Sequence, residues 1–106
     1  MYSYRLSLGA KEDIKRIYLY GYEEFGEVLA DEYYHNLFNA FDKIAENPLH
    51  YQSVDHIRLG YRRYVVGGDS IFFRVNNLKL SVGVADVFDL PSTQGSPTIT
   101  IIELKN

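Results

Sequence analysis

The sequence predicts an α+β domain in the order β-α-α-β-β-β: a helical hairpin packed on one antiparallel sheet, with an extended or altered C-terminal hairpin. Three observations carry this. Apolar residues alternate near the start, recur at helical spacing through the middle of the first half, and alternate again after residue 56. Helices with one apolar stripe and a sheet with one apolar face bury those surfaces by stacking on each other. With 106 residues, 46% of them hydrophobic and 15% aromatic, the chain has the size and composition of a single domain spanning 1–106, and is too apolar for a disordered one.

Tyr2 to Leu8 alternates, with Tyr4, Leu6 and Leu8 on one side and Ser3, Arg5 and Ser7 on the other, which is the period of a half-buried strand. From Ala10 the spacing changes. Ala10, Ile14, Ile17, Tyr18, Gly21 and Phe25 form one helical stripe, Glu12 and Asp13 are expected in the first turn near the positive end of the helix dipole, and Gly26 is the expected stop. A second helix is predicted over Glu27 to Glu46, with Ala30, Tyr33, Leu37, Phe41 and Ile44 inward, ended by Asn47-Pro48. After a loop from Leu49 to His56, the runs Ile57 to Val66 and Ser70 to Val75 read as strands joined by Gly67-Gly68-Asp69, a hairpin signal. Asn76-Asn77 marks another turn. Leu78 to Val84 alternates as a strand, a Pro-, Ser- and Gly-containing loop follows, and Thr98 to Leu104 reads as the last strand.

Several chemistries are excluded or disfavoured. The chain contains no cysteine, which removes disulfides, thiolate metal sites and cysteine nucleophiles. His35, His50 and His56 lack close metal-ligand spacing, and the loop group of His50, Asp55 and His56 reads as solvated surface, so neither a metal nor a cofactor is expected. Gly67-Gly68 has strands on both sides and no following helix, which fits a turn and not a phosphate cradle. No apolar run is long enough to span a membrane and the first residues hold no hydrophobic signal core, so a soluble cytoplasmic protein is expected. The formal net charge of −3 argues against a protein whose whole surface is a nucleic-acid footprint, and direct nucleic-acid binding is not expected. Acids predominate in residues 1–55 and bases in residues 56–106, so the surface is expected to be dipolar.

The positive end is concentrated in Arg58, Arg62, Arg63 and Arg74. Strand alternation places Arg58 and Arg62 on one side and Arg63 on the other with Tyr61 and Val65, unless a bulge at Gly60 shifts the phase. Guanidinium groups interleaved with Tyr61 and Tyr64 suit carboxylate-rich peptides and phosphates; the plainer alternative is that they cover the acidic helices. Packing within the helix hairpin is the plainer reading of Tyr18, Tyr22 and Tyr33, but Tyr18, Leu19, Tyr20 and Tyr22 wrap around the first helix, so one side of it is exposed or covered by another chain. The candidate partner-binding residues are therefore Arg58, Tyr61, Arg62, Arg63, Arg74, Tyr18 and Tyr22.

In combination these stretches resemble the ParE branch of the RelE/ParE toxin superfamily of bacterial toxin–antitoxin modules. The resemblance rests on Ala10-Lys11-Glu12-Asp13-Ile14 with Ile17 and Tyr20, Phe25-Gly26 with Ala30 and Tyr33, and Leu37, Phe41 and Ala45-Glu46-Asn47-Pro48. It continues through Asp55 to Arg63 and Ser70-Ile71-Phe72-Phe73-Arg74. It implies a helical hairpin on an antiparallel sheet, a cognate antitoxin that wraps a C-terminal segment around the toxin in a heteromeric complex, and DNA gyrase as the inhibited target, without catalysis. The superfamily also implies an alternative, a ribosome-dependent messenger RNA endonuclease using Arg58, Arg62, Arg63 and Arg74 with Tyr61 or Tyr64. Ile99 to Leu104 resembles the family's last strand after an insertion, with Glu103 where a basic residue is usual and without the terminal His. That departure leaves a third expectation, an inactive homologue that still binds antitoxin.

Overall fold

A computed structural model describes residues 2–76 and 98–106. Strand β1 is Ser3–Leu6, and the chain leaves it at Ser7. The Ser7 hydroxyl accepts from the Ala10 amide at 2.9 Å and donates to the Ile102 carbonyl at 2.6 Å, so one side chain caps helix α1 and ties it to the last strand. Helix α1 therefore runs Leu8–Phe25. Leu8, expected on the inner side of the strand, heads the helix and is exposed. The early start also moves Glu12 and Asp13 out of the first turn. Asp13 instead fastens the helix to the last strand, where its Oδ2 accepts the Leu104 amide at 3.0 Å, while Oδ1 lies 3.2 Å from Arg16.

Gly26 both ends α1 and opens helix α2, Glu27–Glu46, whose bounds match those predicted. Its backbone, at φ 91 and ψ 169, lies in a region open essentially to glycine alone. Ala10 and Ile14 are buried, but from Leu19 to Leu29 no residue is. The tip of the hairpin thus extends past the sheet, and Phe25, assigned by its spacing to the inner stripe, is exposed.

The expected loop after α2 contains a 3-10 turn, Pro48–His50, and a short strand β2, Gln52–Ser53. Strand β3 is Tyr61–Val66, β4 is Asp69–Asn76 and β5 is Thr98–Lys105. The sheet order is β1-β5-β4-β3-β2. The α+β class and the helical hairpin on a sheet are as expected, but the sheet is mixed and not wholly antiparallel, because β5 enters beside β1 running parallel to it. Successive antiparallel pairing of β3, β4 and β5 fixes that direction. A bulge at Phe72/Phe73 leaves Ile102 without a partner on β4. The strand expected over Leu78 to Val84, the loop after it and Asn77 of the Asn76-Asn77 turn lie outside the described residues.

One face of the sheet carries the core. Leu37, Phe41 and Ile44 of α2 pack on Ile71, Phe73, Ile99, Ile101 and Leu104, with Ala10 and Ile14 of α1 completing the cluster. Burial of the leucine, isoleucine and phenylalanine side chains, each contributing roughly 1.5–3 kcal/mol, is the main stabilising term.

Candidate partner-binding surfaces

Two chemically different surfaces flank this core. The first is a groove of about 670 Å³ where the hairpin tip passes the β3–β4 turn. Ile17, Tyr18 and Phe25 of α1 and Leu29, Tyr33 and Tyr34 of α2 line it, with Gly68 and Asp69 at the turn. The rings are held in place. The Tyr18 hydroxyl donates to Asp31 at 2.7 Å, and its ring meets Tyr22 at 6.2 Å and Tyr34 at 5.8 Å between centroids. Tyr34, Phe38, Phe41 and Tyr4 continue the ring contacts down to β1. The bond to Asp31 is the largest cause raising the Tyr18 pKa to about 12, because a phenolate beside that carboxylate is disfavoured.

At the turn, the Tyr33 hydroxyl lies 2.6 Å from Asp69 Oδ2 and 3.0 Å from the Val66 carbonyl. Asp69 is the buried polar residue of the described chain, and Tyr33 is the hydrogen-bond donor that answers it. Burial first, and the bond to Asp69 second, push the Tyr33 pKa upward. Gly67 has φ 55, and a Cβ there would stand 2.8 Å from Tyr33 Cε1, so this turn tolerates only glycine while the ring stays where it is.

The second surface is the sheet face turned away from the helices. Tyr64 and Val66 pack on the core, so Tyr61, Arg63 and Val65 point to the other side, as the alternation predicts. Across the ladders, Arg5 pairs with Thr100, Thr100 with Arg74, and Arg74 with Tyr61. These four side chains form one row across the sheet. Phe72 and Gln52 stand beside Arg63 in the next row, where Arg63 Nη2 donates to Gln52 Oε1 at 3.0 Å. Arg63 Nε is buried and has no hydrogen-bond partner.

Strand β3 begins at Tyr61, not Ile57, so Arg58 is not a strand residue. The Ile57 and Arg58 amides both donate to the Val54 carbonyl, at 2.8 and 3.0 Å, and Asp55 Oδ1 accepts the Gly60 amide at 2.8 Å. Gly60, at φ 86, closes this turn and is no bulge. Arg58 returns to the row from its end, with Cζ 5.6 Å from the centre of the Tyr61 ring. Arg62 is separated from the others: it points to the helix side, where Nη1 donates to the Tyr51 carbonyl at 2.8 Å. Among the described residues the ion pairs are Arg16–Asp13 and Lys105–Glu103, so these arginines do not cover the acidic helices.

The structure thus joins Arg63, Arg74 and Tyr61, adds Arg58 at the margin, sets Arg62 apart, and puts Tyr18 and Tyr22 at the hairpin tip. Arg5, Leu29 and Tyr34 were not among the predicted site residues. The signal for Arg5 lay in its phase opposite Tyr4 and Leu6, but its proximity to Arg74 depends on strand order. Among the described residues no group of His, Cys, Asp or Glu is placed to hold a metal ion, and no helix is long and apolar enough to cross a membrane.

A small α+β domain with an apolar helical groove and an arginine-bearing open sheet has the form of a macromolecule-binding module. Residues 4–89 match the family model described as ParE toxin of type II toxin-antitoxin system, parDE, and the chain belongs to that family. It is 37% identical over 75 residues to Toxin ParE1 of Caulobacter vibrioides, covering 71% of this chain and 78% of that one. Against Toxin ParE1 of Mycobacterium tuberculosis the identity is 35% over 72 residues, covering 68% and 74%. A solved structure of the chromosomal ParDE system from P. aeruginosa shares the fold, with a TM-score of 0.72 at 15% identity over 100% of this chain and 96% of that one.

Proposed function

We propose that this family member inhibits DNA gyrase by binding it, and that a cognate antitoxin neutralises it by seating an apolar segment in the groove between α1, α2 and the β3–β4 turn. The observation that carries the binding reading is the exposed apolar hairpin tip, where Leu29 and Phe25 are 52% and 61% exposed beside a preformed groove. The solved ParDE system of the same fold supports an antitoxin as the occupant, and membership of the family supports gyrase as the target. A binding mechanism also accords with the dispersal of the arginines. Arg62 points to the helix side, away from Arg63 and Arg74, so the four predicted arginines do not converge on one reacting phosphate.

Inducible expression in bacteria tests this. Expression alone should arrest growth with gyrase-cleaved DNA accumulating, and co-expression of the operon's antitoxin should restore growth. Leu29→Asp, which places a carboxylate in the groove, should make the arrest resistant to antitoxin. Arrest with intact DNA and cut messenger RNA would contradict the gyrase reading, and rescue of Leu29→Asp as complete as that of the parent would contradict the groove.

A further inference from the structure

We infer that the open sheet face, centred on the row Arg5–Thr100–Arg74–Tyr61, binds the phosphodiester backbone of nucleic acid without reading its sequence. The inference goes beyond gyrase inhibition and stands without it. Its first support is charge at close quarters. Among the described residues, Arg5, Arg58, Arg63, Arg74 and Lys105 lie on or beside this face against two carboxylates, Glu103, which Lys105 already approaches at 3.8 Å, and Asp55 in the Arg58 turn, which accepts the Gly60 amide at 2.8 Å. The formal net charge of the chain is −3, so the face opposes the sign of the whole molecule, and the exposed acids Glu12, Glu23, Glu24, Glu27 and Glu32 sit on the helices. Such an arrangement orients a polyanion toward the sheet and away from the hairpin.

The second support is the kind of donor present. Except for Lys105 the cations are arginines, whose planar fork matches two phosphate oxygens at once. Arg5 and Arg74 are exposed and stand two strands apart, a separation of roughly 9–10 Å between their backbones at ordinary strand spacing. Between and beside them Thr100, Thr98, Asn76 and Ser3 supply neutral hydrogen-bonding groups in register. The Asn76 amide donates to Thr98 at 3.0 Å and Thr100 at 2.8 Å, which fixes the oxygens of both hydroxyls.

The third support separates nucleic acid from an acidic peptide. Protein interfaces have an apolar centre, whereas nucleic-acid interfaces are polar and rich in arginine. Among the described residues, Phe72 is buried within the face, Tyr61 is half-buried with Arg58 over its ring, and the exposed large apolar side chains, Val65 on the strand and Ile57 and Leu59 in the Arg58 turn, stand at its margin and not at its centre. The apolar docking surface is on the other side of the molecule. Charge without an apolar centre fits a phosphodiester chain better than a polypeptide.

Fluorescence anisotropy of the whole chain with labelled oligothymidylate, oligouridylate and a DNA duplex tests this. Affinity should fall linearly with salt on logarithmic axes, with a slope of about −0.7 per single-strand phosphate contacted. The double variant Arg5→Ala/Arg74→Ala should bind at least about tenfold more weakly, with a slope shallower by roughly one to two. Val28→Asp, on an exposed position of α2 away from the sheet face, should bind as the parent does, and circular dichroism should show all three chains folded. Preference among the three probes identifies the polymer that supplies the backbone, and tight binding of any one supports the inference. No binding to any probe, binding undiminished in the double variant, or equal affinity for polyglutamate would overturn it. None of these outcomes involves gyrase, so the proposed inhibition stands or falls separately.

Discussion

The hairpin tip and the open sheet face share one core and present opposite chemistry. At the tip, α1 and α2 continue past the strands and keep their apolar side chains, so Tyr18, Phe25, Leu29 and Tyr34 face a groove that the described residues do not fill. On the open face, strand alternation sends Arg5, Arg63 and Arg74 outward because Tyr4, Tyr64 and Phe73 are needed inward. Surface character in both regions is thus set by the core: one surface is apolar overhang, the other the polar phase of buried strands. A partner bound by hydrophobic burial and one bound by charge could therefore be addressed independently. Their salt responses should differ accordingly, steep at the sheet and shallow at the groove.

The largest expected effect removes both surfaces together. Phe73 is fully buried between helices and sheet, and Phe73→Ala should cost about 3–5 kcal/mol in urea unfolding, enough to threaten a small domain. A loss below about 1 kcal/mol would show that the two regions do not depend on a common core. Tyr33→Phe is smaller and acts at the groove alone. It leaves the Asp69 carboxylate without its phenol donor and should cost about 1–3 kcal/mol, while polyanion binding by the folded protein is unchanged.

The tyrosines also give the tip region a pH signature. The pKa values of Tyr18, near 12, and Tyr33 are raised above the ordinary 10.0. The protonated phenols are therefore favoured more in the folded than in the unfolded chain. Their contribution is complete below pH 10 and is lost as pH rises through the folded values. Thermal unfolding midpoints should fall between pH 10 and 12, and Tyr33→Phe should flatten that fall more than Tyr18→Phe, since burial leads the shift at Tyr33 and the hydrogen bond to Asp31 leads it at Tyr18. A parent profile flat to pH 12 would contradict the two hydrogen bonds.

The smallest expected effect on stability comes from the sheet face. Arg5→Ala and Arg74→Ala remove exposed side chains with no ion pair among the described residues, and each should change unfolding by less than about 0.5 kcal/mol.

Much of this organisation was legible from residue type and spacing. Gly26 between two helical stripes located the hairpin turn, Glu27 and Asn47-Pro48 bracketed α2, and Gly67-Gly68 marked the β3–β4 turn. These are local signals, carried by residues that limit their own backbone. The start of α1 was obscured because Ser7 satisfies strand alternation and caps a helix equally well, and its bond to Ile102 is invisible without the last strand. Arg58 was misplaced because Ile57, Leu59 and Tyr61 alternate like a strand, whereas the Asp55 carboxylate folds this stretch into a turn.

The parallel placement of β5 beside β1 was not legible at all, since strand order depends on distant partners. The same limit applies to the candidate site. Arg63, Arg74 and Tyr61 were recoverable from one hairpin, Arg62 was correctly phased opposite Arg63, and Arg5 could join them only once β5 linked β1 to β4. The groove escaped notice because the exposure of Phe25 and Leu29 reflects how far the helices outrun the sheet, which periodicity does not encode.

The most direct test of gyrase inhibition by binding is to add the purified chain to purified gyrase, relaxed plasmid and ATP, with no ribosomes present. Loss of supercoiling with accumulation of protein-linked cleaved DNA, reversed by prior addition of antitoxin, is the predicted result. Supercoiling that proceeds undisturbed at stoichiometric excess of a folded chain would contradict it.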